Sequence, residues 1–253
     1  LDALRNVQDP DLHRDIVSLG FVKSVKIKGG AVDAVIELTT PACPVKDALR
    51  EEAVARMREV PGVTDARVEM TAQVRPRAGP AANMLPTVRN IIAVASGKGG
   101  VGKSTCAVNL ALSLSKTGAR VGILDADVYG PSVPGMLGLM DRPTQTPEGM
   151  IIPLEAHGLK VMSMGLLVDA SSPVIWRGPM ATKIIQQFLG GTLWGELDYL
   201  VLDLPPGTGD IQLTILQTAP LAGAVIVSTP QDVALSIAKK GMSMFPQLQV
   251  PVL

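Results

Sequence analysis

Ile91-Ile92-Ala93-Val94-Ala95-Ser96 runs directly into Gly97-Lys98-Gly99-Gly100-Val101-Gly102-Lys103-Ser104-Thr105, and Cys106-Ala107-Val108-Asn109-Leu110-Ala111-Leu112 follows. A short apolar run without alternation is what a strand covered on both faces looks like, and the apolar residues after the glycines recur at helical spacing as far as Lys116. The glycine stretch between them matches G-x-x-x-x-G-K-[ST], with the strand before and the helix after that this motif requires. Glycines let the backbone wind so that successive N–H groups point inward at phosphate oxygens, and the helix N-terminus adds the positive end of its dipole. Gly97 to Thr105 are therefore expected to cradle the phosphates of a nucleotide. Lys103 would reach the β- and γ-phosphates, and the Ser104 hydroxyl would ligate Mg²⁺.

Outward from this loop the same texture repeats. Arg120 to Leu124, Tyr199 to Leu202 and Ala222 to Ser228 are further short apolar runs separated by helical stretches, which predicts an α/β domain with a doubly wound, mostly parallel sheet. Such folds place their ligands at the carboxyl ends of the strands, where this chain carries acids. Asp203 closes the run Tyr199-Leu200-Val201-Leu202 as a Walker B aspartate does, and Pro205 to Asp210 beside it reads as a mobile loop. Asp125 and Asp127 end another buried strand. Asp127, further into its loop, is the candidate for positioning an attacking water. Asp125 and Asp203 are expected with Ser104 in the Mg²⁺ shell, directly or through water. Gln249 to Leu253 reads as the opening of one more strand, and so as a domain cut short.

The first part of the chain has another character. Residues 1–75 hold 11 basic and 12 acidic side chains, whereas the longer stretch 91–253 holds only 21 charged residues. Residues 76–90, with Pro76, Gly79, Pro80 and Pro86 among small residues, read as a linker between two domains. In the first, Phe21 to Lys28 and Ala31 to Leu38 alternate around Gly29-Gly30, the pattern of a hairpin with a primed turn. Val45, Leu49, Ala53, Met57 and Val60 lie on one helical stripe, with Pro44 suited to the first helical position and Pro61-Gly62 as the stop. Val63 to Met70 would be a third strand. A small α+β domain is expected.

Composition excludes several classes. Twenty-three acids balance twenty-three bases, so no global field attracts nucleic acid or anionic lipid. The apolar runs fall short of the roughly 20 residues a membrane span needs. Two cysteines, Cys43 and Cys106, cannot make a disulfide framework, and two histidines, His13 and His157, cannot make a self-contained zinc site. No secretory leader is evident. Cys106, on the phosphate-loop helix, is expected to be a small buried packing residue. Cys43 lies ahead of a helix N-terminus, a setting that favours reactive thiols, and is left between an iron-handling or redox role and an inert one. His13 reads as a surface residue and His157, beside Gly158, as part of a hairpin turn.

Lys98 needs an account of its own, because an ordinary phosphate loop does not require a lysine after its first glycine. Lys98 to Ser104 resembles the K-G-G-x-G-K-[ST] pattern of the deviant Walker A ATPases. That resemblance implies a nucleotide-sandwich homodimer in which Lys98 reaches the partner's phosphates and steadies the transferring phosphoryl group, so Lys98, Lys103, Asp127 and Asp203 form the expected catalytic set. Three more strings narrow the likeness: Leu124-Asp125-Ala126-Asp127-Val128-Tyr129-Gly130-Pro131-Ser132, Trp176-Arg177-Gly178-Pro179-Met180, and Asp203-Leu204-Pro205-Pro206-Gly207-Thr208-Gly209-Asp210. Together they resemble the Mrp/ApbC family of iron–sulfur cluster carrier ATPases. Asp9-Pro10-Asp11, Ser18-Leu19-Gly20 and Thr40-Pro41-Ala42-Cys43-Pro44 resemble the small iron–sulfur assembly domain fused to many bacterial members.

The resemblance implies ATP as the nucleotide, beside the Mg²⁺ expected from the motif, and a [4Fe–4S] cluster as cargo; slow hydrolysis is expected from the carrier role, and a cytoplasmic location from the absence of a leader and the reduced thiols of an iron–sulfur factor. Apo iron–sulfur proteins and cluster assembly factors would be the partners, with neither nucleic acid nor membrane among them. The family's C-x-x-C pair has no counterpart here, so the cluster ligands are expected beyond Leu253, with Cys43 as a possible accessory thiol. A positioning or partition ATPase of the same superfamily is the competing reading. It would need a basic amphipathic surface, for which Lys239-Lys240 is the available adjacent basic pair.

Overall fold

A computed structural model describes residues 1–10, 12–40, 43, 45–73, 85–167, 178–207 and 209–253. The chain divides into two compact units, Leu1–Arg75 and Pro76–Leu253. Leu85 is buried and a strand begins at Val88, so the last residues of the expected linker belong to the second unit.

In the first unit β1 (Val22–Lys28) pairs antiparallel with β2 (Ala31–Leu38), and β3 (Asp65–Ala72) joins β2 in parallel after the helix α1 (Lys46–Arg58). Gly29 and Gly30, with φ of 57° and 90°, form the primed turn that matches the twist of the flanking strands. The alternation in β2 buries Val32, Ala34, Ile36 and Leu38, and α1 covers them with Leu49, Ala53 and Met57. Two expectations are corrected. The helix stops at Arg58, which leaves Val60 outside the stripe and 41% exposed. The third strand runs from Asp65, because Val63 and Thr64 are spent on the turn, where the Thr64 N–H bonds the Gly30 carbonyl. The helix begins at Lys46; Pro44 lies outside the described residues.

The second unit is built on β4 (Val88–Ser96), β5 (Val121–Asp125), β6 (Leu154–Ala156), β7 (Leu159–Ser163), β8 (Leu197–Asp203) and β9 (Leu221–Val227). They form one sheet in the order β6-β7-β5-β8-β4-β9, parallel except for the edge hairpin β6–β7. His157 and Gly158 make that hairpin's turn, with φ of 52° and 78°. Successive side chains of a strand point to opposite faces, and two apolar clusters result. Ile91, Ala93, Leu124, Leu200 and Leu202 face one way, under Ile185, Phe188 and Leu189 of α4 (Gly178–Gly190) and Ile215 and Leu216 of α5 (Asp210–Thr218). Val94, Val121, Ile123 and Val201 face the other, under Ala107, Val108 and Ala111 of α2 (Lys103–Lys116). The sheet is therefore doubly wound, as its unalternating strands predict. At its last residues Val252 bridges Ala224 in parallel, extending the sheet beside β9.

At the opposite end of the strands from the glycine loop, Asp198 of β8 accepts from the Arg120 backbone N–H at 2.9 Å and from the Arg120 guanidinium at 3.2 Å on each oxygen. Arg89 stands 3.7 Å away. Burial pushes the Asp198 carboxyl up, but the Arg120 bonds and the two guanidinium charges outweigh it and hold it below its ordinary value. A depressed folded pKa contributes stability that is present above the unfolded value of 3.8 and is lost as pH falls through the folded value. Asp198→Asn is expected to cost about 1–3 kcal/mol at neutral pH and to flatten the acid limb of urea unfolding below about pH 4. Nucleotide affinity, measured alongside, should not change.

Candidate nucleotide site

Side-chain parity places the acids. Asp203 lies two residues after Val201 and Asp125 two after Ile123, so both carboxylates fall on the α2 face, at the strand ends nearest the start of that helix. They are also register partners across β5 and β8. The sheet thus delivers two acids side by side to the mouth of the glycine loop, both fully buried.

The loop itself is set by its glycines and by the helix. Gly100 and Gly102 have φ of 75° and 88°, a left-handed backbone that β-carbon-bearing residues resist. Gly102 is the N-cap of α2, makes no side-chain capping bond, and accepts the first helical bond from the Cys106 N–H at 2.9 Å. The N–H groups of the first helical turn, from Lys103 onward, therefore have no acceptor within the helix and no acid in that turn to compete for them. They are available to phosphate oxygens. Gly97 serves a different purpose from the one its motif position suggests. A β-carbon there would stand 2.8 Å from the Ala238 backbone nitrogen and 2.8 Å from Ile237 Cγ2, both on α6 (Asp232–Met242). Gly97 lets that helix close on the loop.

Lys103 is buried, and its ammonium donates to Asp203 Oδ1 at 2.5 Å and to Ser104 Oγ at 3.2 Å. Burial pushes the Asp203 carboxyl above its usual range, and the Lys103 charge and the bonds from Lys103 and Ser104 pull it back only in part. Its other oxygen, Oδ2, is buried without a hydrogen-bond partner among the described residues. A buried carboxylate oxygen with an unmet need, beside a serine hydroxyl, is the donor set of a hard divalent cation. Mg²⁺ fits there, with Ser104 and Asp203 as the residues that would hold it.

Asp125, expected near the Mg²⁺ shell, also holds its own loop. Its Oδ1 accepts from the Asp127 N–H at 3.1 Å, and its Oδ2 accepts from the Val133 N–H at 3.2 Å and the Ser163 hydroxyl at 3.1 Å. Both oxygens help pin the loop that follows β5 and the start of α3 (Val133–Leu137). Burial, and then the neighbouring Asp203 charge, push this carboxyl up to about 7, against those hydrogen bonds. Asp125 thus holds the loop together from beside Asp203, its register partner. Ser163, at the end of β7, is a site residue that sequence reading missed; its register partner in β5 is Asp125, which only strand order reveals.

Asp127 is half-buried, and its Oδ1 accepts from the Tyr129 and Gly130 N–H groups at 3.3 and 3.2 Å. Within Pro205 to Asp210, read as mobile, the Gly207 N–H bonds the Ser96 carbonyl of β4 at 2.9 Å, and the Leu204 N–H just before it bonds the Val94 carbonyl at 3.0 Å; Thr208 lies outside the described residues. Lys98 is partly exposed, and among the described residues no ion pair involves it. Cys106 is half-buried instead of buried, because its position on α2 lies off the stripe formed by Ala107, Val108 and Ala111. Cys43 packs half-buried against the core of the first unit. Among the described residues no group of three metal-binding side chains converges, and no helix is long and apolar enough to cross a membrane. Trp176 and Arg177 lie outside the described residues.

Strand, glycine loop, uncapped helix N-terminus and a buried acid facing the loop lysine define a P-loop nucleoside triphosphatase. Comparison with known proteins narrows this class. Residues 87–253 match the model of the NUBPL iron-transfer P-loop NTPase, and residues 1–70 match that of an iron-sulfur cluster assembly protein. The iron-sulfur cluster carrier protein of Synechocystis sp. is 50% identical over the whole chain, which covers 73% of that relative, and the one from Deinococcus radiodurans is 52% identical, with 72% covered. A nucleotide-binding protein from Archaeoglobus fulgidus, solved in complex with ADP, is 43% identical, with 68% of each chain covered and a TM-score of 0.59. The chain belongs to the family of iron-transfer P-loop NTPases, with an iron–sulfur assembly domain at its N-terminal side.

Proposed function

We propose that this protein is an ATP-hydrolysing carrier that assembles iron–sulfur clusters or passes them to apo-proteins, working in the cytoplasm as a nucleotide-sandwich homodimer. The observation that carries the reading is the buried Lys103–Asp203 pair at the mouth of an uncapped helix, in a chain that also contains an assembly-type domain. The carrier relatives support it.

On this reading the work divides among the residues. Backbone N–H groups from Gly97 to Thr105 hold the phosphates, and Lys103 supplies charge to the β- and γ-phosphates. Ser104 and Asp203 would hold Mg²⁺, which would supply charge neutralisation at the phosphates. Asp127, held by the Tyr129 and Gly130 N–H groups on one oxygen, orients the attacking water and takes up its proton. Asp125 keeps that loop in place. Lys98 acts across the dimer on the partner's phosphates. The cluster is cargo, and a [4Fe–4S] cluster needs four thiolates.

Asp127→Asn should keep the loop's hydrogen bonds while losing the base. The expected outcome is a fall in kcat of about 10²–10⁴-fold with KM for ATP little changed. Equal kcat in the two proteins would remove Asp127 from the chemistry. The carrier reading is tested by cluster delivery to an apo-ferredoxin with ATP, with ADP or without nucleotide, measured as iron and acid-labile sulfide transferred. Delivery that ignores the nucleotide rejects it. The positioning-ATPase alternative predicts ATP-dependent co-sedimentation with liposomes or DNA. Its basis is Lys239 and Lys240 in the last turn of α6, a small patch for either surface.

A further inference from the structure

Lys103 and Asp203 are each committed twice. The P-loop chemistry asks Lys103 for the phosphates and asks Asp203 for the divalent cation, yet the structure joins the two directly, ammonium to Oδ1 at 2.5 Å, with both groups buried. A lysine ammonium and a divalent cation satisfy the same need of a buried carboxylate, and so compete for it. The carboxylate of Asp203 and a nucleotide phosphate likewise compete for Lys103. We propose that Lys103 is an internal stand-in for the cation. Held on Asp203, it keeps the site closed to a divalent cation alone and to a metal-free nucleotide alone, and it opens only when phosphate and cation arrive together.

Two details favour a latch over a permanent strut. Oδ2 of Asp203 is buried and has no partner among the described residues, so the pair leaves one of the two carboxylate oxygens unsatisfied. The Ser104 hydroxyl already touches the ammonium at 3.2 Å, so withdrawal of Lys103 toward phosphate would release both cation donors in one movement. Each ligand removes the other's competitor, which is positive coupling between two sites and is reciprocal by linkage.

The proposal rests on the P-loop reading of this site and is tested without measuring turnover. Mn²⁺ is titrated into the full chain without nucleotide, and the EPR signal of free Mn²⁺ is followed for the unaltered protein and for Lys103→Met, which keeps the apolar stem and removes the charge. Binding at least about tenfold tighter in the variant is expected, and adding Asp203→Asn should abolish the gain. Equal affinities overturn the proposal. A second arm needs no change at Lys103: calorimetry of ADP in excess EDTA should show Asp203→Asn binding metal-free ADP at least about tenfold more tightly than the unaltered protein. Unchanged or weaker binding overturns the proposal as well. Binding of ADP with Mg²⁺ to the unaltered protein reports separately on the nucleotide-site reading, which stands or falls on that result.

Discussion

Lys103→Ala is expected to lower kcat/KM for ATP by about 10²–10³-fold, the usual consequence of deleting one preorganised charge that stabilises the transition state. It should also weaken the fold, which separates this lysine from an exposed phosphate-binding one. The ammonium is the partner of a fully buried carboxylate, and breaking a buried pair from one side costs about 3–5 kcal/mol because the other charge remains. The pH dependence fixes the cause. Burial already places the Asp203 carboxyl above 3.8, with Lys103 the largest opposing influence. An acid whose folded pKa is raised binds its proton more readily when folded, so the penalty it imposes is absent below the unfolded value of 3.8, grows as pH rises from there and is complete above the folded pKa. Without Lys103 the carboxyl moves further up. The stability deficit of the variant should therefore be larger at about pH 8 than at about pH 5, read from urea unfolding midpoints. Adding Asp203→Asn should recover most of the deficit and none of the activity. A deficit independent of pH would mean that Lys103 supports the fold by packing.

Gly97→Ala is expected to damage the site from its far side. The added methyl would meet the Ala238 nitrogen at 2.8 Å, Ile237 Cγ2 at 2.8 Å and the Ile237 carbonyl carbon at 2.9 Å. Two of those atoms are helix backbone, which cannot rotate away, so α6 or the glycine loop must shift. Overpacking of this kind costs about 1–3 kcal/mol, and displacement of the loop should lower kcat/KM by about 10²-fold, as small misplacements of phosphate-holding groups do. Gly99→Ala is the control. Nothing lies within 4 Å of its added carbon and its backbone is not left-handed, so its unfolding midpoint should stay within about 0.5 kcal/mol of the original. Equal thermal stability of the two variants would show that α6 yields to the loop without cost.

Much of this site is local, and local features are legible. The glycine string is followed by apolar residues at helical spacing, and the short apolar runs of β4, β5, β8 and β9, too short for buried helices, read as strands covered on both faces. Asp203 and Asp127 stand at strand ends in the string itself. The hairpin turn at Gly29-Gly30 is equally local, since two consecutive positive φ angles call for those two glycines.

What the string could not reveal depends on which strands lie side by side and how closely helices approach. β8 enters the sheet between β5 and β4, and that order brings Asp203 against Lys103, 100 positions away in the chain. The same order puts Ser163 beside Asp125 and gives that acid a loop-holding role the string does not show, because three donors converge on its two oxygens. Gly97 is read from the motif as a phosphate-loop glycine, yet its lack of a side chain is required by a helix that starts at Asp232. Local propensity and periodicity specify elements and their reactive residues; ion pairs and close approaches between distant segments follow from sheet order, which no short stretch of the chain encodes.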